Sequence, residues 1–190
     1  MRDCEIRRAV KDTLLARSLS DPDTLIVEEL GLRHGAGRVD IAVINGEMHG
    51  YELKSDQDTL RRLPRQIRTY NLVFDRITLV VTPDHLAQAT DIVPGWWDIV
   101  LAESCGEGEI CFRAVQAGER NPEVSGLATV QLLWRNEALQ LLDERGFAYG
   151  MRSKPRKIIY GRIIEIMDLP ELQASVRRQL RSRKDWRSAE

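Results

Sequence analysis

Two short runs, Arg38-Val39-Asp40-Ile41-Ala42-Val43-Ile44 and Met48-His49-Gly50-Tyr51-Glu52-Leu53-Lys54-Ser55, flank Asn45-Gly46 and constrain the fold of this chain more than any other segment. Both are of strand length, the first rich in β-branched residues, and Asn-Gly between such runs is the strongest short-range hairpin signal. A second constraint is Ile77-Thr78-Leu79-Val80-Val81, a continuous apolar run stopped by Thr82-Pro83. Such a run reads as a central strand covered on both faces. The chain must therefore build a sheet with layers on either side of it.

Other segments supply those layers. Asp3 to about Ser18 places Ile6, Val10, Thr13 and Leu14 on one side at helical spacing, which predicts an amphipathic first helix. Ser20-Asp21-Pro22-Asp23 ends it, Thr24 to Leu30 reads as a strand, and Gly31 to Gly37 as a glycine-bearing turn. Pro64 interrupts the stretch Asp58 to Leu72, so a short turn should precede a main helix that carries Pro64 in its first turn and buries Leu63, Ile67 and Tyr70. A helix over Asp84 to Asp91 and strands over Ile99–Ala102 and Ile110–Val115 follow, the strands separated by Gly106-Glu107-Gly108. Beyond the loop Gly118 to Gly126, the segments Leu127–Arg145, Lys157–Met167 and Glu171–Lys184 read as helices. The expected class is α/β: a mixed sheet flanked by helices over residues 1–118, with a helical C-terminal extension over 119–190.

The hairpin also carries chemistry. Glu52 and Lys54 are two apart on one strand, so they share a face with Cα atoms about 6.6 Å apart. Asp40 joins them only in one parity. A two-residue loop would pair Val39 with Glu52 and turn Asp40 to the opposite face. A three-residue loop, Ile44-Asn45-Gly46 with Gly46 left-handed, pairs Val43 with Glu47 and Val39 with Tyr51. Only that register gathers Val39, Ile41, Val43, Tyr51 and Leu53 on one apolar face, as burial of one sheet surface requires. It sets Asp40, Glu52 and Lys54 on the other face beside Gly50, whose missing side chain leaves room for a metal or a phosphate. Two carboxylates offer hard oxygen ligands to Mg²⁺ or Mn²⁺, and a neighbouring ammonium can orient an attacking water.

Composition narrows the alternatives. A hydrophobic share of 43% suits one globular unit, and a net charge of −1 argues against a uniformly basic nucleic-acid coat. The charge is uneven: from Met151 onward Lys154, Arg156, Lys157, Arg177, Arg178, Arg181, Arg183, Lys184 and Arg187 make the chain basic. These could lie along a duplex or form exposed faces of helices that cap the sheet. Cys4, Cys105 and Cys111 fit no common zinc or redox spacing and read as reduced or buried thiols. The segment Met1-Arg2-Asp3-Cys4-Glu5 has no apolar core, and no run approaches the ~18 apolar residues of a membrane span. A cytoplasmic protein without membrane partners is the default expectation.

Asp40 on one strand of a hairpin and Glu52-Leu53-Lys54 on the next resemble the signature of the PD-(D/E)XK nuclease superfamily. Gln66-Ile67-Arg68-Thr69-Tyr70 is similar to the Gln-x-x-x-Tyr element of its RecB-like branches. Arg38-Val39-Asp40, Glu52-Leu53-Lys54-Ser55, Asp58-Thr59-Leu60, Arg62-Leu63 and Phe74-Asp75-Arg76 resemble a small bacterial family within it. The resemblance implies a restriction-endonuclease-like core, with Asp40, Glu52 and the Leu53 carbonyl binding Mg²⁺ or Mn²⁺ and Lys54 orienting the hydrolytic water. It implies DNA as the substrate and a role in repair, mobile-element biology or defence. The acidic residue that the superfamily often carries on its first helix has two candidates, Glu5 and, on the first strand, Glu29. Gln66 and Tyr70 could contact the substrate backbone, and Arg61, Arg65 and Arg68 would make a basic stripe if the helix is continuous there. The alternative function is an idle nuclease-fold module that binds nucleic acid or a protein partner. The helical extension could mediate a homodimer or bind a partner. Trp96-Trp97 reads as a core or lid anchor, and neither His34 nor His49 as a metal ligand.

Overall fold

The computed structural model describes residues 1–106, 108–183 and 186. Glu107 of the glycine-rich turn, and Lys184 and Arg187 of the basic C-terminal stretch, lie outside the described residues. Six strands, β1 (Leu25–Leu32), β2 (Gly37–Ile44), β3 (Met48–Lys54), β4 (Arg76–Val81), β5 (Asp98–Ser104) and β6 (Ile110–Gln116), form one sheet in the order of the chain. The pairs β1·β2, β2·β3 and β5·β6 are antiparallel, and β3·β4·β5 are parallel. The sheet is thus mixed, with the apolar run of β4 inside it. Ile77, Leu79 and Val81 pack on one face of β4 and Val80 on the other, as a doubly covered strand requires.

The helices α1 (Asp3–Asp12), α2 (Ala16–Ser20), α3 (Leu63–Tyr70), α4 (Pro83–Ile92), α5 (Gly126–Val130), α6 (Arg135–Asp143), α7 (Arg156–Ile166) and α8 (Leu169–Ser182) cover the sheet. Pro64 lies in the first turn of α3, after a 3₁₀ turn over Leu60–Arg62. On one face Ile6, Val10 and Leu15 pack against Ile41, Val43, Leu53, Val80 and Ala102. On the other, Tyr70, Phe74 and Trp97 share a larger core with Val130, Ile163 and Leu180 from the C-terminal helices. The sequence therefore gives a six-stranded α/β sheet with helices on both faces and a helical C-terminal portion.

Several expectations are corrected. The first helix stops at Asp12 rather than Ser18, and the break turns Leu15 into the core while Leu14 stays 38% exposed. The buried set is thus Ile6, Val10 and Leu15, which an unbroken helix would not align. Leu127–Arg145 is two helices, because Leu132 and Leu133 are buried in the link between α5 and α6 and Glu137 caps the Trp134 N–H at 2.7 Å. Cys105 and Cys111 are joined in a disulfide, not reduced, since the β5–β6 hairpin brings their Cα atoms to 5.8 Å, and Cys4 is free and exposed. Among the described residues no helix is long and apolar enough to cross a membrane.

Candidate active site

The hairpin that carries the acidic residues has the expected parity but not the expected register. Its three-residue loop is Asn45-Gly46-Glu47, with Ile44 across from Met48, Val43 from His49 and Ile41 from Tyr51. Asn45 sets this loop by accepting the Glu47 N–H on its side-chain oxygen at 3.1 Å, and Gly46 has no positive φ. The shift of two residues preserves which side chains share a face. It also carries Asp40 from opposite Gly50 to opposite Glu52, tightening the site. Gly50 leaves no room for a ligand, because a Cβ there would meet the Phe74 ring at 3.1 Å.

Asp40 lies where the alternation of the sheet breaks. Glu29, facing it on β1, has φ 58°, a left-handed conformation that is strained for a side chain of this size. Beyond that point both strands change face. Val39 and Leu30 join the larger core rather than the one beneath α1, contrary to the expected grouping of Val39 with Ile41 and Val43. The same kink sends Glu28 and Glu29 toward one cation: Arg7 lies 3.1 Å from Glu29 and 3.8 Å from Glu28. Past Ile41 the β2·β3 ladder ends, and Asp40 Oδ2 takes the Leu53 N–H at 2.8 Å in its place.

Glu52 and Lys54 are buried together, each 2% exposed, with Lys54 Nζ donating to Glu52 Oε1 at 2.6 Å and to Gln66 Oε1 at 3.2 Å. Gln66 Nε2 donates to the same carboxylate oxygen at 2.5 Å. The Tyr70 hydroxyl lies 2.6 Å from both Glu52 Oε2 and the Arg38 carbonyl, so its single proton serves one of them at a time. Burial and the Glu52 charge raise the Tyr70 phenol well above its ordinary range, which keeps it a donor. Burial likewise pushes the Asp40 carboxyl up to about 7, with the Glu52 charge adding to the effect and the Leu53 N–H and Arg7 opposing it.

These groups open onto a cleft of about 670 Å³ lined by the acids Asp3, Glu29, Asp40, Glu52 and Asp58 and by the bases Arg7, Arg38, Lys54, Arg62 and Arg65. The charges interleave, Arg7 and Arg38 meeting Glu29 and Lys54 meeting Glu52. Glu29 is in this cleft, whereas Glu5 is turned to Arg2 at the start of α1. Tyr70 meets Glu52 from within the core, whereas Gln66, partly exposed, holds the same carboxylate from the wall of the cleft. Arg65 is in the cleft and donates to the Ala36 carbonyl at 3.2 Å, and Arg68 lines an outer groove with Arg33 and Arg65. Arg61 lies in the 3₁₀ turn, which rotates Arg62 into the cleft instead. Asp3, Arg7 and Arg62 escaped sequence reasoning. Their one signal was the i, i+4 spacing of Asp3 and Arg7 and the adjacency of Arg61 and Arg62.

The other singled-out residues serve packing. Trp97 is fully buried and donates its indole N–H to Asn71 at 3.0 Å. His49, driven down to about 4 by burial, meets the Thr78 hydroxyl at 2.8 Å. In the C-terminal helices Arg177 pairs with Asp75, Arg178 with Glu144, Arg181 with Asp23 and Arg183 with Glu137. Much of the basic charge there is therefore spent within the molecule.

Among the described residues no group of three or more His, Cys, Asp or Glu side chains is arranged to hold a metal. Asp40 and Glu52 nevertheless suit a hard divalent cation, because Mg²⁺ takes one or two protein carboxylates and completes its shell with water and substrate phosphate. The raised Asp40 carboxyl marks a place where added positive charge would be stabilising.

Comparison with known proteins gives relatives rather than a reaction. Protein cII of Enterobacteria phage P4 is 24% identical over 150 residues, which cover 79% of this chain and 56% of that protein. The chain thus spans little more than half the length of the curated relative it matches. A solved Silicibacter pomeroyi protein of unknown function superposes with a TM-score of 0.45 at 18% identity, over 79% of this chain and 92% of that one. Pyrococcus furiosus SfsA, solved in complex with Ca²⁺, superposes with a TM-score of 0.33 at 17% identity, over 58% of this chain and 60% of that one. The model of the family described as bacteriophage P4 protein cII matches residues 1–189, and the chain belongs to that family.

Proposed function

We propose that this protein is a metal-dependent phosphodiesterase of PD-(D/E)XK type that cuts DNA. The observation that carries the reading is the convergence of Asp40, Glu52 and Lys54 on one charged cleft, with Gln66 and Tyr70 fixing Glu52. Asp40 and Glu52, with the Leu53 carbonyl, would hold Mg²⁺ or Mn²⁺. When bound, the cation supplies Lewis acidity to the scissile phosphate and neutralises charge that develops there. Lys54, pinned by Glu52 and Gln66, directs its remaining N–H donor at the attacking water. Arg38, Arg62 and Arg65 would grip the phosphates on either side of the cut.

The decisive experiment is cleavage of linear, circular, single-stranded and branched DNA with Mg²⁺ or Mn²⁺, comparing the wild-type protein with Asp40→Ala and Lys54→Ala. The expected result is ion-dependent cleavage that both substitutions reduce by about 10³-fold or more. Wild-type protein that cuts none of these substrates, or an Asp40→Ala protein as active as wild type, would sink the reading. A second reading is an idle nuclease-fold module that binds nucleic acid, favoured by the hold of Arg7 on Asp40. It predicts DNA binding that is indifferent to a chelator.

A further inference from the structure

The cleft contains one cation that the proposed chemistry does not use. Arg7 projects from α1 and is only 16% exposed in its side chain. Its Nε and NH2 reach the two Asp3 oxygens at 3.2 and 3.4 Å, one turn earlier on the helix. Its NH1 donates to the Asp40 carbonyl at 3.0 Å, and NH2 meets Asp40 Oδ1 at 3.3 Å and Glu29 Oε1 at 3.1 Å. Glu28 stands 3.8 Å from NH1. Four carboxylates therefore gather round one guanidinium.

The other oxygens of the candidate metal ligands are committed more firmly. Asp40 Oδ2 takes the Leu53 N–H at 2.8 Å, and both Glu52 oxygens are engaged by Lys54, Gln66 and Tyr70. Asp40 Oδ1 has the longest contact of the set, and its partner is Arg7. An incoming divalent ion would thus meet the guanidinium at the most available oxygen. Arginine cannot leave by losing its proton, only by moving. Asp3 and Glu29 supply somewhere to go, since both already hold it.

We propose that Arg7 is a resident counter-ion that competes with the divalent metal for Asp40, neutralising the carboxylate in the metal-free protein and yielding Oδ1 when the ion arrives. Arg7 then stays with Asp3 and Glu29. This inference rests on the metal-dependent reading above. It makes the metal affinity of the cleft a property of α1 as well as of the hairpin. A wide span of ion concentrations could therefore leave the site in its self-neutralised form.

The test is calorimetric titration of Mn²⁺ into the full chain as wild type, Arg7→Gln, Arg7→Lys and Asp40→Asn, each shown by circular dichroism to be folded. Removing a like charge beside the site should tighten Mn²⁺ binding about tenfold or more in Arg7→Gln. Arg7→Lys should tighten it less, because an ammonium keeps the charge but not the fork that reaches Asp3 and Asp40 together. Asp40→Asn should lose the binding, and Mn²⁺ should raise the melting temperature of Arg7→Gln more than that of wild type. If Arg7→Gln fails to fold, Arg7→Lys alone decides. Wild-type affinity in the folded Arg7 variants would overturn the competitor role while leaving the metal site standing. Absence of Mn²⁺ binding in wild type and variants alike, or binding that survives Asp40→Asn unchanged, would overturn both.

Discussion

Asp40 and Asp75 stand at opposite ends of β3, and each accepts one of its main-chain N–H groups at 2.8 Å: Leu53 for Asp40, Met48 for Asp75. Their surroundings then diverge. Asp75 also receives Gln173 at 2.9 Å and Arg120 at 3.4 Å, with Arg177 at 3.9 Å, and its side chain is 2% exposed. Those partners come from the loop before α5 and from α8, so Asp75 fastens the C-terminal helices to the sheet. Asp40 has one cation, faces a second carboxylate, and remains 21% exposed to a cleft. Two aspartates with the same main-chain bond are thus separated by what completes their charge: one is closed by the fold, the other is open to a ligand. A buried carboxylate alone says little about function, and the balance of its neighbours says much more.

The comparison can be broken most directly in the rate of cleavage. Asp40→Ala should lower it by about 10³-fold or more, upwards of about 4 kcal/mol in transition-state stabilisation, whereas Asp75→Asn should leave it within a few-fold of wild type. Equal losses in the two variants would erase the distinction. In urea denaturation the order reverses. Asp75→Ala strands Met48 N–H and the arginines and should cost about 3–5 kcal/mol, while Asp40→Ala, assayed with chelator, should cost far less.

Acidity gives a subtler discriminator. Folded Asp40 holds its proton up to about 7 against an ordinary 3.8, so its contribution to stability is fully present below about pH 4 and fades as pH rises through about 7. The span is on the order of 2–4 kcal/mol in the absence of metal, and it should vanish in Asp40→Asn. His49 acts in the opposite sense, since its lowered value of about 4 takes stability away as pH falls below its ordinary 6.5. Chelated wild type that shows no decline relative to Asp40→Asn between about pH 4 and 7 would refute the assignment. The smallest expected effect belongs to Tyr70→Phe, which removes one donor from buried Glu52 and should cost about 1–3 kcal/mol. Its cleavage rate should fall less than that of Lys54→Ala, because Tyr70 acts through Glu52.

The legible part of this site was whatever obeyed a period. Alternation along β3 placed Glu52 and Lys54 together, and helical spacing put Gln66 and Tyr70 on one side of α3, where both meet Glu52. What broke a period was hidden. The left-handed Glu29 reverses the faces of Val39 and Leu30, and no residue type announces such a kink where a glycine is not used. The 3₁₀ turn over Leu60–Arg62 exchanged Arg61 for Arg62, since the stripe of Arg61, Arg65 and Arg68 required a helix continuous through Arg61. Arg7 was hidden for another reason: a cation on the polar face of a helix looks solvated until the partner element is known. The Cys105–Cys111 pairing depended on a hairpin whose turn length the spacing alone did not reveal.

The core that Tyr70, Phe74 and Trp97 share with Val130, Ile163 and Leu180 has a bearing on how this protein could be shortened, shuffled or borrowed. A gene fragment ending near Gly118 would keep every group of the acidic site yet leave one face of its sheet stripped of apolar cover. Such a product is expected to aggregate. Selection on the C-terminal helices is then tied through packing to the half that carries the acidic cleft, and recombination at that point would separate the cleft from the apolar cover on which its sheet relies.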